Sequence, residues 1–264
     1  VLYSCSSEKK TSFPLDYEQE KLIDNLINDM TLKEKVGQTC QITLDAILLK
    51  DSLNKLIVPH QIDSVKLNEA LLKYKVGSIL NVSNHTFTLD KWHKILSQIH
   101  EKNQQNPHGI QVIYGIDAIH GATYLSNSTL FPQQIGLAAT WDTGHARRLG
   151  EVTAYETRAS GIRWNFSPVL DLGRTPIWSR FFETFGEDVY LAKTMGKSVV
   201  NGYQGDKFND YTVAACLKHY VGYSFPRSGR DRTPALIPKR IMQEYYLPPF
   251  EEAIKSGALT VMIN

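Results

Sequence analysis

The chain has 264 residues, 42% hydrophobic and 21% charged, an ordinary globular composition with apolar surface for a sizeable core. Its 29 basic and 27 acidic residues leave a net charge of +2, and no basic run is interleaved with aromatics, so nothing points to a nucleic-acid partner. No stretch approaches the ~20 apolar residues that a membrane-spanning helix needs.

In chain order, the first feature is "VLYSCSSEKK". It resembles the end of a bacterial lipoprotein signal, with Leu2 and Ser4 ahead of Cys5 and Tyr3 where a small residue is usual. Residues 1–16 then read as a polar tether lipidated at Cys5, which predicts an extracytoplasmic body, periplasmic or on the outer membrane, anchored by acyl chains rather than spanning. From there a pattern repeats six times: a short apolar or β-branched run, turn residues, then a helix-like stretch. The runs cover 36–42, 76–82, 109–117, 161–171, 213–219 and 258–264. Apolar spacing of three to four predicts helices over roughly 17–30, 63–73, 89–105, 143–159, 188–204 and 238–256. "MTLKEK" supplies an N-cap threonine, Thr31, and Gly161 is a helix stop. Cys40 and Cys216 lie in apolar runs and read as buried free thiols; the three cysteines have no metal-ligand spacing.

Runs without strict alternation suit strands buried on both faces, hence a parallel sheet. Strand then helix, repeated, means an α/β fold, either doubly wound or a TIM-like (β/α)8 barrel. No GxGxxG or GxxxxGK[ST] follows any run, so no cofactor is expected, and Asn81, Asp117, Asp171, Lys218 with His219, and Asn264 all stand where a buried run stops. Functional groups at many strand ends favour the barrel. About six βα units are present, so the barrel is expected to be incomplete in this chain, with residues 17–264 forming its N-terminal part.

Three places can carry chemistry. Asp117 ends "IQVIYGID" between Gly115 and Gly121, and reads as a cavity carboxylate or as a turn aspartate. "GRTPIWSRFFETFGED" mixes Arg174, Arg180 and Glu183 with Trp178, Phe181, Phe182 and Phe185. Aromatic rings with forked donors and acceptors suit a sugar, whose apolar face stacks while its hydroxyls pair; the same mixture can also close a structural loop. "VAACLKHYVGY" ends a buried run on Lys218 and His219. An unpaired buried lysine is costly, so the pair is expected to face a polar cavity, both reaching it only if the backbone twists or bends there.

Together, "GIDAIHG", "FPQQIGLAATWD", "RWNFSPVLDLGRTPIWSRFFETFGED", "CLKHYVGY" and "YLPPFEEAIKSGALTVMIN" resemble glycoside hydrolase family 3, the β-glucosidase group, in order from about Tyr17 to Asn264. The resemblance implies a barrel followed by an α/β sandwich domain, and a retaining, exo-acting β-glycosidase that removes a terminal non-reducing sugar from an oligosaccharide or β-glucoside. It implies substrate binding by Asp117, Arg180, Lys218, His219 and Met262, with Glu183, Arg174 and Asp171 in support: Glu183 through Arg180, Asp171 through Arg174 or backbone N–H groups. The nucleophilic aspartate is expected after Asn264, and the acid/base carboxylate on the following domain. Thr175, Ile177 and Ser179 depart from the family's R-D-P-R-W-G-R form, which bears on loop rigidity more than on Arg180. The Asp-Ser-His loop of the family's N-acetylglucosaminidases is absent. Alternatives are a β-xylosidase of the same family, a lyase or aldolase barrel with Lys218 as Schiff-base lysine, and a sugar-binding barrel without catalysis.

Overall fold

The computed structural model describes residues 17–264; Cys5 and the tether expected over 1–16 lie outside the described residues. After α1 (Tyr17–Asp29) and α2 (Leu32–Gln38), six strands follow: β1 (Gln41–Thr43), β2 (Ser78–Leu80), β3 (Ile113–Ile116), β4 (Trp164–Asn165), β5 (Ala214–Tyr220) and β6 (Thr260–Ile263). They form one sheet in which spatial order follows chain order and every neighbouring pair is parallel. A doubly wound sheet must reverse its strand order at a switch point. This sheet never reverses, so its crossovers wind one way and the sheet curls as a half-barrel. The architecture is the α/β, TIM-like (β/α)8 barrel in incomplete form, with six units.

The connecting helices are α3 (Ser64–Asn68), which continues as a π-helical turn over Glu69–Lys73, α4 (Leu89–Asn103), α5 (Gln134–Ala138), α6 (Thr143–Ala159), α7 (Val189–Gln204), and α8 (Lys239–Ile241) leading through a further π turn, Met242–Tyr246, into α9 (Leu247–Lys255). Each buries one stripe. In α4 the buried side chains are Trp92, Ile95, Ile99 and Asn103, three to four apart. Two cores result. One, with Ile79, Trp92 and Ile116, lies under α3 and α4; the other, with Leu170, Val199, Leu217 and Phe250, lies between α5, α6, α7, α9 and the second half of the sheet. α6 crosses α7 at two glycines: a Cβ at Gly150 would stand 2.6 Å from the Val199 carbonyl oxygen and 2.9 Å from Gly202 Cα. Gly150→Ala is therefore expected to overpack the crossing and destabilise the protein by about 1–3 kcal/mol. An unchanged thermal midpoint would show that the crossing has slack.

Three expectations need correction. The run 36–42 is not one strand: Val36, Gly37 and Gln38 finish α2, and β1 starts at Gln41. The reason is the cap. Thr31 Oγ1 accepts from Glu34 N–H at 3.3 Å while Glu34 Oε2 accepts from Thr31 N–H at 2.9 Å, a capping box that commits the next turns to helix. Cys40, between α2 and β1, is consequently exposed, whereas Cys216 is buried as expected. The run 161–171 also pairs only briefly, over Trp164–Asn165, before rejoining β5 through a single bridge from Val169 to Lys218.

The capping box carries a pH signature. Hydrogen bonds from the Thr31 backbone and side chain hold the Glu34 carboxyl down to about 2. A carboxyl lowered on folding stabilises the native state above its ordinary value and loses that contribution as pH falls from about 4.5 towards 2. Glu34→Gln is expected to flatten the acid limb of the stability profile in that window, and Thr31→Ala to cost about 1 kcal/mol at neutral pH. Urea titrations at pH 3 and pH 7 read both; an acid limb unchanged in Glu34→Gln would count against the box.

Candidate active site

The C-terminal strand ends build the site. Asp117 follows β3, and Asn81 follows β2 in the left-handed region, at φ 43°. Asn81 grips Asp117 twice: its Nδ2 donates to Asp117 Oδ2 at 2.6 Å, and its Oδ1 accepts from the Asp117 backbone N–H at 2.9 Å. Because that N–H can only donate, the amide orientation is settled. The Asn81 carbonyl in turn accepts the Tyr114 hydroxyl at 2.7 Å.

Lys218, 2% exposed on β5, directs Nζ onto Asp117 Oδ1. This pairing accounts for a lysine at the end of a buried strand: an ion pair with further hydrogen bonds offsets the desolvation that a lone ammonium would suffer. Burial pushes the Asp117 carboxyl up, but the charge of Lys218, the hydrogen bonds from Lys218 and Asn81 and the field of Arg180 outweigh it, and the group sits below its ordinary value.

The Lys218–His219 peptide is cis, and both side chains meet carboxylates. His219 Nδ1 donates to Asp171 Oδ2 at 2.7 Å, and the His219 backbone N–H donates to the same oxygen at 3.0 Å. His219 Nε2 has no partner among the described residues. Arg180 makes a forked pair with Glu183, Nε to Oε1 and Nη2 to Oε2, each 2.7 Å. Burial lowers the Arg180 guanidinium, but the hydrogen bond and charge of Glu183 prevail and raise it above its ordinary value.

Tyr223 joins these groups. Its ring meets the His219 ring edge-on at 4.7 Å between centroids, lies 5.6 Å from the Arg180 guanidinium, and meets Trp178 at 5.2 Å. Its hydroxyl donates to Asp231 Oδ1, which also accepts from Trp178 Nε1 at 3.0 Å. Asp117, Lys218, His219 and Arg180 thus belong to one connected cluster. Its donors, the partly exposed Asp117 carboxylate and its aromatic wall suit a ligand with several hydroxyls. A cleft of about 470 Å³ borders it, with Asp117 and Glu183 in its wall.

The remaining expected residues fall as follows. Glu183 holds Arg180, as expected. Of the two kinds of partner expected for Asp171, Arg174 is not met but a backbone N–H is, that of His219; buried beneath His219, Asp171 also supports that ring. Arg174 is exposed and stands over the Tyr245 ring at 4.3 Å, tying the loop to the helical segment before α9. The chain folds back through the Val169–Lys218 bridge, which brings Asp171 to β5 and leaves Arg174 outside. Met262 shares a face of β6 with Thr260, whose Oγ1 accepts from Trp164 Nε1 at 2.8 Å. Trp178 and Phe185 are core residues, and Phe182 is the ring left 47% exposed at the cleft. Tyr223 and Asp231 were not singled out from sequence. No spacing signals them, because they reach the site through a loop after β5. Among the described residues no group of three or more His, Cys, Asp or Glu is arranged to hold a metal ion.

Fold and cluster define a (β/α)-barrel protein with a polar pocket at the carboxyl ends of its strands. The family model described as the glycosyl hydrolase family 3 N-terminal domain matches residues 31–264, and the chain belongs to that family. It is 38% identical over 262 residues to a lysosomal beta glucosidase of Dictyostelium discoideum, covering 93% of this chain and 31% of that protein. It is 27% identical over 246 residues to a periplasmic beta-glucosidase of Salmonella typhimurium, covering 93% and 29%. A crystal structure of a beta-glucosidase from Listeria innocua in complex with glucose superposes with a TM-score of 0.74 at 30% identity, over 93% of this chain and 32% of that one. Proteins named as beta-xylosidases also match. The chain therefore spans about a third of the length of these relatives.

Proposed function

We propose that this chain supplies the sugar-binding part of a retaining, exo-acting β-glycosidase that releases terminal β-linked glucose. The observation that carries this is the Asp117–Lys218 pair at the end of two buried strands, flanked by Arg180 and His219. Asp117 accepts from the outer hydroxyls of the terminal sugar, while Lys218, His219 Nε2 and Arg180 donate to its hydroxyls, and Met262 lines the same subsite. Glu183 and Asp171 hold Arg180 and His219 in place; Arg174 steadies the loop. The positive groups belong away from the anomeric carbon, where positive charge develops during cleavage.

Retaining hydrolysis needs two carboxyl groups about 5 Å apart, a nucleophile and an acid. We assign the nucleophile to an aspartate following Asn264 in the whole protein, and the acid to a subsequent α/β sandwich domain; residues 17–264 are the first part of the barrel. The Schiff-base alternative is not favoured, since Lys218 Nζ is committed to Asp117. The lipoprotein-like "LYSC" supports lipidation of Cys5 and an extracytoplasmic body, a location shared with the periplasmic relative. No helix among the described residues is long and apolar enough to cross a membrane. The test is hydrolysis of 4-nitrophenyl β-glucoside and β-xyloside by the full-length protein, with proton NMR of the first-formed anomer. Release of β-glucose with the glucoside preferred is expected; an α-anomer first product or no glycoside turnover would overturn the reading.

A further inference from the structure

Two segments meet beside Arg180 and His219, and one carboxylate joins them. β5 ends at Tyr220, and Gly222, in the left-handed region at φ 94°, turns the chain so that the Tyr223 ring lies edge-on to His219. The loop that follows supports itself. Pro226 bridges Ala235 in antiparallel fashion, the Arg227 N–H donates to the Pro234 carbonyl at 3.1 Å, and the Ser228 and Thr233 hydroxyls pair at 2.9 Å. Asp231 stands within this loop and reaches back to the segment carrying Arg180. Its Oδ1 accepts from Trp178 Nε1 at 3.0 Å and also from the Tyr223 hydroxyl. The fit continues next door, where a Cβ added at Gly229 would collide with the Ile177 side chain.

Asp231 makes no hydrogen bond or ion pair with Arg180 or His219 themselves, so any influence on them passes through Tyr223. The Tyr223 ring lies 5.6 Å from the Arg180 guanidinium, within cation–π range. A phenol that donates to a carboxylate gains electron density in its ring, which strengthens that attraction. On its other side Arg180 is forked onto Glu183, so the guanidinium is fixed between a carboxylate and an aromatic ring. Asp231 turns only one oxygen to this task. Oδ1 takes both donors, while Oδ2 meets only the exposed Arg232 among the described residues, with Nε at 3.8 Å. The arrangement therefore needs one oxygen with two lone pairs rather than a second negative charge. Without it, Trp178 Nε1, on a side chain 2% exposed, loses its partner, and the Tyr223 ring loses its tether.

We propose that Asp231 is a positioning residue: it staples the loop after β5 to the segment carrying Arg180, and through the Tyr223 ring it sets Arg180 and His219 for the sugar. The inference rests on the sugar-binding role proposed above for Arg180 and His219. The full-length protein is to be assayed with 4-nitrophenyl β-glucoside as wild type, Asp231→Ala, Asp231→Asn, Tyr223→Phe and the double variant Asp231→Ala with Tyr223→Phe. Asp231→Ala is expected to lower kcat/KM at least fivefold. The loss should appear in KM as well as kcat, since misaimed hydroxyl donors weaken binding whereas a partly unfolded preparation lowers kcat alone. Asp231→Asn, whose Oδ1 can accept from both donors, is expected to stay within threefold of wild type. Tyr223→Phe keeps the ring but cuts the tie, and is expected to raise KM at least threefold. The double variant should be no more than about twofold below Asp231→Ala, because both substitutions break one path. Four results would overturn the proposal: less than a fivefold loss in Asp231→Ala, a loss there confined to kcat, Asp231→Asn as poor as Asp231→Ala, or a double variant that falls by the product of the single losses. Should Asp231→Ala not fold, Tyr223→Phe decides: a raised KM supports the proposal, and an unmoved one overturns it. A wild-type protein that cleaves no glycoside would instead sink the glucosidase reading, and this proposal with it.

Discussion

Asp117→Ala in the full-length enzyme is expected to lower kcat/KM for an aryl β-glucoside by about two to four orders of magnitude. A carboxylate accepting from two sugar hydroxyls makes charge-assisted hydrogen bonds of about 1.5–3 kcal/mol each, so roughly 3–6 kcal/mol is lost. The substitution also strands Lys218, 2% exposed, without its counter-charge. Breaking a buried pair costs about 3–5 kcal/mol of stability, so the thermal midpoint should fall as well. Asp117→Asn keeps the shape but has one acceptor where Asn81 Nδ2 and Lys218 Nζ both donate, and it too leaves Lys218 without a counter-charge, so it should also be impaired in activity and stability. Because the Asp117 carboxyl sits below its ordinary value, the pair's contribution is complete at neutral pH and is lost only as pH falls through that lowered value. A drop in kcat/KM of less than tenfold in Asp117→Ala would remove Asp117 from the sugar site.

The 264 residues expressed alone are expected not to hydrolyse glycosides, with rates several orders of magnitude below the full-length enzyme. Three carboxylates at the described site are already committed. Asp117 is held by Lys218 and Asn81, Asp171 lies buried under His219, and Glu183 is forked onto Arg180. None is free to attack an anomeric carbon, and without a nucleophile the covalent route is lost. The strands β1 and β6 each have a single partner among the described residues, and such edges favour association, so solubility must be checked first. A soluble preparation within about a hundredfold of the full-length rate, a margin of only ~2.7 kcal/mol, would place the nucleophile within this chain.

Much of this could be read beforehand, and the reasons are local. The period of the apolar runs dictated strand and helix, and the α6 boundaries at Thr143 and Ala159 follow from an Asp142 cap and a glycine stop. Where local signals conflict, periodicity alone misleads: a run that reads as one strand at 36–42 is split by the capping box of Thr31 and Glu34, which commits Val36–Gln38 to helix and leaves Cys40 outside. Likewise, the aromatic run 178–185 does not reveal which ring stays exposed, since Trp178 and Phe185 turn inward and Phe182 outward.

By itself, the sequence determined the α/β class, the family and the strand-end placement of Asp117, Lys218 and His219, because hydrophobic periodicity and long motifs are properties of neighbouring residues. Only the tertiary structure decided the partners. Lys218 meets Asp117 from 101 residues away and His219 meets Asp171 from 48 away, pairings that depend on which strands lie side by side. Tyr223 links Arg180 to His219 for the same reason: loops after different strands converge over one end of the barrel, and the chain alone carries no record of that distance.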